Sequence, residues 1–304
     1  MNAPVASVVV RAYAKLNLCL RVGGLREDGY HELQTVFSRL SLHDEVMAEP
    51  ADGLVLRLSG RYAEGLLADE SNLAYRAAEL LADHVGISPD AALTVRKTIP
   101  VAAGLAGGSA DAAATLIACN RLWQLNVSGQ VLEALGAKLG SDVPFCVRGG
   151  IAVATGRGEQ LESVAAEGQF HWVLVPSAEQ LSTPAVYAEL ARLRRGSGET
   201  TPPADIAAVV AALLSGKPRR LAGVVTNDLE VAAVSLRPEL DLLLAAGRDV
   251  GALAALVCGS GPTCAFLARD AAHAVELIGR LGVALAGSGV ETGSPIPVAS
   301  GCYL

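Results

Sequence analysis

The sequence predicts an α+β protein of two domains. Strand-like and helix-like segments follow one another in mixed order along the 304 residues, and some strand pairs are separated only by hairpin-length loops. This order favours α+β over a doubly wound parallel sheet, in which strands and helices would alternate. A chain of this length forms one large domain or two ordinary ones. We expect the boundary near 159–168, which gives domains over 1–160 and 161–304.

Hydrophobic periodicity predicts the elements of the N-terminal half. Apolar residues dominate 5–22 and 33–42, and the glycine-bounded polar loop 23–29 between them is typical of a hairpin connection. Alternating leucines in 53–59 indicate a strand with one buried face. An apolar stripe at helical spacing predicts a helix that begins at Ser71-Asn72 and continues to about 85. The further predicted elements are strands over 93–99 and 149–155 and helices over 109–123 and 129–139.

The C-terminal half has the same mixed character. A strand is predicted over 171–176, and helical patterns flank a polar segment at 195–203 that is rich in glycine, serine, threonine and proline. The stretch 250–267 has strand–loop–strand signals around Gly259-Ser260-Gly261-Pro262. A helix over 275–285 and a closing strand at 301–304 complete the prediction.

Composition excludes several classes of function. The net charge of −7 argues against general binding to nucleic acid or to anionic membranes. No apolar run approaches the roughly 20 residues of a membrane-spanning helix, and no basic segment precedes the N-terminal apolar run, so we expect neither a membrane span nor a signal peptide. The six cysteines lack metal-ligand spacing. We therefore expect a reduced, cytoplasmic protein without a bound structural metal.

The most informative stretch is 97–123, KTIPVAAGLAGGSADAAATLIACNRLW. A loop of small residues leads from a strand into an alanine-rich helix, where glycines allow close approach of a ligand and the first helical turn offers unpaired N–H groups. This arrangement is typical of phosphate binding, although a tight packing connection remains the alternative. The string is neither GxxxxGK[ST] nor GxGxxG. Asp111 would repel a bare phosphate, so Mg²⁺ is expected with any phosphate bound here.

Two charged residues are candidates for acid–base chemistry. Lys15 lies within an apolar strand, where a lysine points either to solvent or into a cleft that binds an anion. Asp142 follows a Gly-Ser turn, where the alternative role is capping or turn formation. Together, a carboxylate that accepts a hydroxyl proton and an ammonium that stabilises the developing charge would activate an alcohol.

Two further loops are weaker candidates. Tyr30 and His31 follow the polar loop 23–29 and are suited to stacking on, and hydrogen bonding with, a base or a sugar. A solvated turn is the alternative. The glycine loop at 259–263 carries little information by itself.

In this order the motifs resemble those of the GHMP small-molecule kinases. The matching strings are Ala14-Lys15-Leu16-Asn17, PVAAGLAGGSADAAA at 100–114 and GSGPTCAF at 259–266. Two more, REDGYHEL at 26–33 and LGSDVPF at 139–145, are similar to the branch that phosphorylates a cytidyl-diphosphate alcohol in the non-mevalonate isoprenoid pathway. The resemblance spans nearly the whole chain and is weakest over 195–217.

The resemblance implies a fold with an N-terminal ATP domain, a C-terminal domain on the substrate side and an active site in the cleft between them. It implies Mg²⁺-dependent transfer of the ATP γ-phosphate to the 2-hydroxyl of a methylerythritol unit by a monomer or weak homodimer. Asp142 would be the base and Lys15 its partner. ATP would bind at Asn72, Lys97, Pro100, Ala103, Gly104, Leu105, Ala106, Gly107, Gly108 and Ser109. The cytidyl substrate would meet Asn17, Tyr30, His31, Thr183 and Pro184, with Tyr30 and His31 at the cytosine end.

One departure and three alternatives accompany this hypothesis. Many members have two hydroxyl residues after the glycines, whereas Ser109 is followed here by Ala110. We expect Ser109, Asp111 or water to replace the missing contact. A homoserine, mevalonate or diphosphomevalonate type of enzyme and a non-catalytic ATP-binding sensor remain open. A dinucleotide-dependent oxidoreductase is excluded, because no GxGxxG follows the first strand.

Overall fold

The computed structural model describes residues 7–177, 179–197, 205–286 and 290–301. Within these ranges the chain forms two compact units. The first contains residues up to Ala14 together with Leu42–Val101 and Ala106–Gly149, and the second contains Lys15–Ser41, Ala102–Leu105 and the described residues from Gly150 onwards. The units are thus discontinuous in sequence, whereas the sequence predicted a single boundary near 159–168. Two of the crossings, at 14–15 and 41–42, lie inside the long strands Val8–Leu25 and His31–Glu49, where a sequence pattern does not mark them.

The first unit packs helices against a small sheet. Strand β4 (Ala91–Lys97) pairs in parallel with β3 (Leu54–Gly60) and antiparallel with the end of β2 (His31–Glu49), where Glu45 is opposite Arg96. The helices are α1 (Leu73–Val85), α2 (Gly107–Leu122), α3 (Gly129–Leu139) and α4 (Val143–Arg148). Buried alanines line several faces of α2, which is therefore enclosed by its neighbours rather than half exposed.

The second unit is built on a larger, mostly antiparallel sheet. The beginning of β2 pairs with β11 (Ile296–Gly301), which is followed in order by β7 (Gln169–Val175), β10 (Cys264–Leu267) and β9 (Ala254–Val257). Strand β5 (Ile151–Thr155) pairs with β2 and with β6 (Gln160–Ser163). Strand β1 (Val8–Leu25) meets β8 (Thr226–Asn227) in parallel at Cys19 and Leu20.

The described part of the second unit also contains six helices. They are α5 (Thr183–Ser197), α6 (Ile206–Leu214), α7 (Pro218–Ala222), α8 (Glu230–Leu236), α9 (Glu239–Asp249) and α10 (Ala271–Leu285). The core joins Val173 and Phe266 of the sheet to Val186, Leu243 and Leu277 of the helices. Helices and strands occur in mixed order and the sheet of the second unit is mostly antiparallel, which confirms the predicted α+β class.

Most predicted elements are present, with differences at their ends. Helix α2 begins at Gly107, two residues before the predicted start, and α4 and β6 had no counterpart in the prediction. The predicted closing strand at 301–304 is β11, which ends at Gly301, and 302–304 lie outside the described residues. The predicted loop at 195–203 is helical through Ser197 because α5 continues that far, and 198–204 lie outside the described residues.

Candidate active site

Lys15 is held inside the second unit by hydrogen bonds. Its side chain on β1 is only 5% exposed, which excludes the solvent-facing alternative. The ammonium donates to Asn17 Oδ1 at 2.8 Å and to the carbonyl oxygen of Gly104 at 3.1 Å. Asn17 donates in turn to Thr35 Oγ1 at 2.8 Å, and Thr35 donates to the Cys19 carbonyl at 2.6 Å. This chain of hydrogen bonds fixes the position of a buried positive charge.

The glycine loop at 259–263 reaches the same place. A β-carbon on Gly259 would lie 3.4 Å from Lys15 Nζ, 3.4 Å from Asn17 Oδ1 and 3.3 Å from the Gly104 carbonyl oxygen. The second unit therefore brings together residues of three separate motifs. Sequence reasoning missed Asn227, whose side-chain amide donates to the carbonyls of Val257 at 2.8 Å and Gly259 at 2.7 Å and so positions this loop.

Gly104 is a glycine for reasons of packing as well as conformation. Its φ is +75°, and an added β-carbon would lie 1.8 Å from the carbonyl oxygen of Cys258. Ala102 and Ala106 also have positive φ, 52° and 59°, which is unfavourable for residues with a side chain. Pro100, Ala103 and Leu105 are buried. The side chains of these three residues therefore serve packing, and any ligand contact from them would come from the backbone.

The first turn of α2, in the first unit, presents its backbone more openly. The helix starts after Ala106, which has no side chain to cap it. Gly108 is exposed, and the nearest atom to a β-carbon placed there would be Leu73 Cδ1 at 3.7 Å. The N–H groups of Gly107, Gly108 and Ser109 belong to the turn that an α-helix leaves without internal acceptors. Ala110 is buried, so a serine hydroxyl at that position would lie inside the unit.

Lys97 lies in a buried cluster of three charged residues, also in the first unit. Its ammonium, 3% exposed, contacts Asp44 Oδ2 and lies 2.6 Å from Asp111 Oδ2. Asp44 Oδ1 accepts hydrogen bonds from the backbone N–H groups of Thr98 and Ile99, the latter at 2.7 Å. Asp44 escaped sequence reasoning because it lies beside Glu45 in a strand-like run, 53 positions from its partner Lys97.

The pKa values of this cluster follow from burial and pairing. Burial raises the pKa of Asp111, and the negative Asp44 adds to the rise, although Lys97 opposes it. Burial lowers the pKa of Lys97, but attraction to Asp111 and Asp44 outweighs that effect and leaves the pKa raised. From the sequence, Asp111 was expected to repel a bare phosphate unless Mg²⁺ offset its charge. It is instead buried against Lys97, and among the described residues its Oδ1 atom has no hydrogen-bond partner.

Asp142 occupies the N-cap position of α4 in the first unit, but its carboxylate does not act as the cap. Among the described residues, its side chain makes no capping hydrogen bond to α4. The turn before it is held by packing, since a β-carbon on Gly136 would lie 2.8 Å from Val143 Cγ1. A β-carbon on Gly140 would lie 3.9 Å from Ser109 Oγ. The loop that carries Asp142 therefore lies beside the first turn of α2.

Tyr30 and His31 lie at the hairpin between β1 and β2, in the second unit. The Tyr30 ring is half exposed, and the guanidinium of Arg157 lies 4.8 Å from its centre. His31 stacks on Tyr187 with ring centres 5.4 Å apart and an angle of 26°. The His31 Nδ1 atom is 3.0 Å from the Gly23 carbonyl oxygen. Sequence reasoning missed Tyr187 because it lies inside helix α5, where its spacing indicates packing.

The remaining predicted residues have identifiable local partners. Thr183 and Pro184 are exposed at the start of α5, and Thr183 Oγ1 lies 2.9 Å from Ser260 Oγ, so the predicted substrate segment meets the loop at 259–263. Asn72 caps α1 in the first unit: its Oδ1 accepts from Ala74 N–H at 3.0 Å, and its Nδ2 donates to the Leu67 carbonyl at 2.9 Å.

The described residues contain neither a metal-binding cluster nor a membrane-spanning helix. No group of three or more histidine, cysteine, aspartate or glutamate side chains in the described ranges is arranged to hold a metal ion. None of the helices described is long and apolar enough to cross a membrane.

Comparison with known proteins supports the resemblance of the motifs. The model for the N-terminal domain of GHMP kinases matches residues 72–150, and that for their C-terminal domain matches residues 209–288. The 4-diphosphocytidyl-2-C-methyl-D-erythritol kinase of Mycolicibacterium gilvum is 55% identical over 94% of this chain and 88% of its own. The enzyme of the same name from Mycobacterium tuberculosis is 52% identical over 94% of this chain and 89% of its own.

Solved structures agree with these matches. The crystal structure of a 4-(cytidine 5'-diphospho)-2C-methyl-D-erythritol kinase has a TM-score of 0.78 and 33% identity, and the alignment covers 97% of this chain and all of the other. A homoserine kinase from Cytophaga hutchinsonii, at 17% identity and a TM-score of 0.76 over 99% of this chain and 96% of its own, shares the fold. The chain therefore belongs to the GHMP kinase family.

Proposed function

We propose that this kinase transfers the γ-phosphate of ATP to the 2-hydroxyl of 4-diphosphocytidyl-2-C-methyl-D-erythritol, a step in the non-mevalonate route to isoprenoid precursors. The observation that carries the proposal is the buried ammonium of Lys15, fixed beside residues of all three family motifs. The names of relatives above 50% identity support the choice of substrate. The family resemblance further implies a cytoplasmic monomer or weak homodimer.

In this proposal Asp142 accepts the proton of the substrate hydroxyl, and Lys15 stabilises the negative charge that develops on the oxygen. A charge that is already held in place stabilises a transition state without having to reorganise during the reaction. Asn17 Oδ1 and the Gly104 carbonyl oxygen supply that restraint on Lys15.

The triphosphate is proposed to bind at the first turn of α2, through the backbone N–H groups of Gly107, Gly108 and Ser109. The open space at Gly108 and the dipole of the helix favour an anion there. The loop from Pro100 to Ala106, together with Asn72 and Lys97, is proposed to assist ATP binding. The described residues form no cage for Mg²⁺. The metal would accordingly be carried largely by the phosphates and water, as Mg²⁺ commonly is.

The cytosine end of the substrate is proposed to lie at the aromatic side chains of the second unit. Tyr30 offers an exposed ring, and His31 is oriented by its stacking on Tyr187. Flat aromatic faces together with a ring nitrogen suit a base that both stacks and hydrogen bonds. Thr183, Pro184 and Asn17 would contact the remainder of the substrate.

The test is a substrate panel with purified protein, ATP and Mg²⁺. Release of ADP should occur with the cytidyl-diphosphate alcohol, and phosphorus NMR of the product should show a phosphate monoester on the 2-hydroxyl. Asp142→Asn should lower kcat by at least about 10²-fold, as is usual for removal of a general base. Asp249→Asn, at an exposed position on α9, is the matched control and should leave kcat unchanged.

Two results would contradict the proposal. Turnover of homoserine or mevalonate without turnover of the cytidyl compound would assign the chain to another branch of the family. Binding of ATP in calorimetry without phosphorylation of any alcohol in the panel would instead favour a non-catalytic sensor.

A further inference from the structure

We propose that Lys97 is a positioning residue for the nucleotide rather than a phosphate ligand: it neutralises two buried carboxylates behind the first turn of α2 and so keeps that turn receptive to an anion. The inference rests on the proposed binding of ATP at this turn. It assigns to the Lys97–Asp44–Asp111 cluster a role that differs from the direct contact implied by the family resemblance.

The geometry directs the ammonium inward. Lys97 ends strand β4, and its Nζ atom lies between Asp44 and Asp111, both of which are buried. Two short charge-assisted hydrogen bonds hold it there. To reach a phosphate in solvent, the ammonium would have to leave both carboxylates without a counter-charge inside the protein, which is strongly unfavourable.

The ammonium nevertheless lies close to the proposed phosphate site. A β-carbon on Gly107, the first residue of α2, would be 3.5 Å from Lys97 Nζ and 3.1 Å from Ile99 Cγ2. No side chain of residue 107 separates the charge from the helical turn. Lys97 therefore acts on this turn from behind, through its charge, while the backbone N–H groups face the ligand.

The cluster also fixes both ends of the loop that leads into α2. Asp44 binds the N–H groups of Thr98 and Ile99 just before the loop, and Thr98 Oγ1 donates to the His43 carbonyl. Asp111 lies on α2 just after it. Lys97 joins the two acids, so one cation couples β2, β4 and α2.

The charges of the cluster explain why Lys97 favours, rather than opposes, the binding of an anion at the start of α2. Two carboxyl groups face one ammonium, and burial raises the pKa of Asp111, which means that negative charge is already disfavoured there. Without Lys97 the two acids would repel each other and any phosphate at the helix start. Removal of the Asp111 charge should relieve that repulsion. A direct phosphate ligand would behave differently, because loss of Asp111 cannot replace a missing contact.

The experiment is a double-mutant cycle with Lys97→Met, Asp111→Asn and the double variant, in the full-length protein. Calorimetry with ATP and Mg²⁺ gives Kd, steady-state kinetics give KM for ATP and for the alcohol, and thermal unfolding gives stability. We expect Lys97→Met to raise the Kd for ATP by at least about 10-fold with little change in KM for the alcohol. Asp111→Asn should bind ATP as tightly as wild type or more tightly, and the double variant should recover to within about 3-fold of Asp111→Asn.

Other outcomes of the mutant cycle overturn the inference. A double variant as weak as Lys97→Met would make Lys97 a direct ligand, and an unchanged Kd in Lys97→Met would remove it from nucleotide binding. If Lys97→Met does not fold, Asp111→Asn alone decides, because weaker ATP binding in that variant contradicts the proposal. Failure of the wild-type protein to bind ATP would refute the proposed function instead. In that case, melting temperatures would still test the charge balance of the cluster. Asp111→Asn should restore the melting temperature that Lys97→Met lowers.

Discussion

Replacement of Gly104 by alanine tests whether packing at this glycine positions Lys15. The added β-carbon would lie 1.8 Å from the Cys258 carbonyl oxygen, and φ is +75°. The left-handed backbone costs about 1–2 kcal/mol for a residue with a side chain. Relief of the overlap by backbone movement costs about 1–3 kcal/mol more. We expect Gly104→Ala to lower the free energy of unfolding by about 2–5 kcal/mol.

The matched control separates the two contributions. Gly168 lies in the same unit with φ of +71°, and among the described residues no atom lies within 4 Å of a β-carbon placed there. Gly168→Ala should therefore show the conformational cost alone, about 1–2 kcal/mol. Urea denaturation monitored by tryptophan fluorescence measures both variants.

Activity supplies a second measurement. The Gly104 carbonyl accepts a hydrogen bond from Lys15, so backbone movement at Gly104 should displace the ammonium and lower kcat, whereas Gly168→Ala should leave kcat unchanged. If Gly104→Ala were no more destabilising than Gly168→Ala and retained full kcat, the reasoning about this contact would be refuted.

Three further predictions concern other parts of the site. Folding raises the pKa of Asp111 above its ordinary value of 3.8, so above about pH 4 the native state keeps a proton on Asp111 that the unfolded state has lost. The native state is therefore destabilised relative to the unfolded state as pH rises above about 4. With rising pH the unfolding free energy of Asp111→Asn should therefore increase relative to that of wild type, by at most about 1.4 kcal/mol per pH unit between about pH 4 and about pH 8. A pH-independent difference in urea titrations would contradict this. Tyr187→Leu should raise KM for the cytidyl substrate several-fold without changing KM for ATP, since the substitution removes the ring on which His31 stacks. Equal changes in both KM values would count against a role for His31 at the cytosine end. Ala110→Ser should leave the Kd for ATP within about 2-fold of wild type, because the buried hydroxyl can donate a hydrogen bond to the Ala106 carbonyl of its own helix. A clear gain in ATP affinity would instead support the sequence-based expectation that a hydroxyl here contacts phosphate or metal.

Local patterns predicted the elements on which the site depends. The transition from glycine loop to alanine-rich helix placed α2 within two residues, because small residues, a helix start and helix-forming composition all act over one or two turns. Asn72 was placed at the start of α1, where it is the N-cap. Motif resemblance identified the family, which the comparisons confirmed.

Long-range contacts decided what local patterns left open. Whether Lys15 faces solvent or the interior depends on the Gly104 carbonyl, 89 residues away in sequence. Lys97 is adjacent to the glycine loop in sequence, yet Asp44 and Asp111 hold its ammonium behind the helix. The final strand was predicted too late because Pro297, inside β11, is typical of a strand edge or a break. Lys15 and Gly104, 89 residues apart, and Lys97 and Asp44, 53 residues apart, are too distant in sequence for a local pattern to contain both partners.

The buried position of Lys97 has a consequence for inhibitor chemistry. A compound aimed at the proposed phosphate site would not gain an ion pair from this lysine, whose ammonium is already held by two carboxylates. Its binding groups should instead be neutral acceptors spaced to meet successive backbone N–H groups at Gly107, Gly108 and Ser109. Such acceptors avoid the desolvation of a full negative charge. Because they bind main-chain atoms, resistance through substitution would require a change in backbone shape rather than the loss of one side chain.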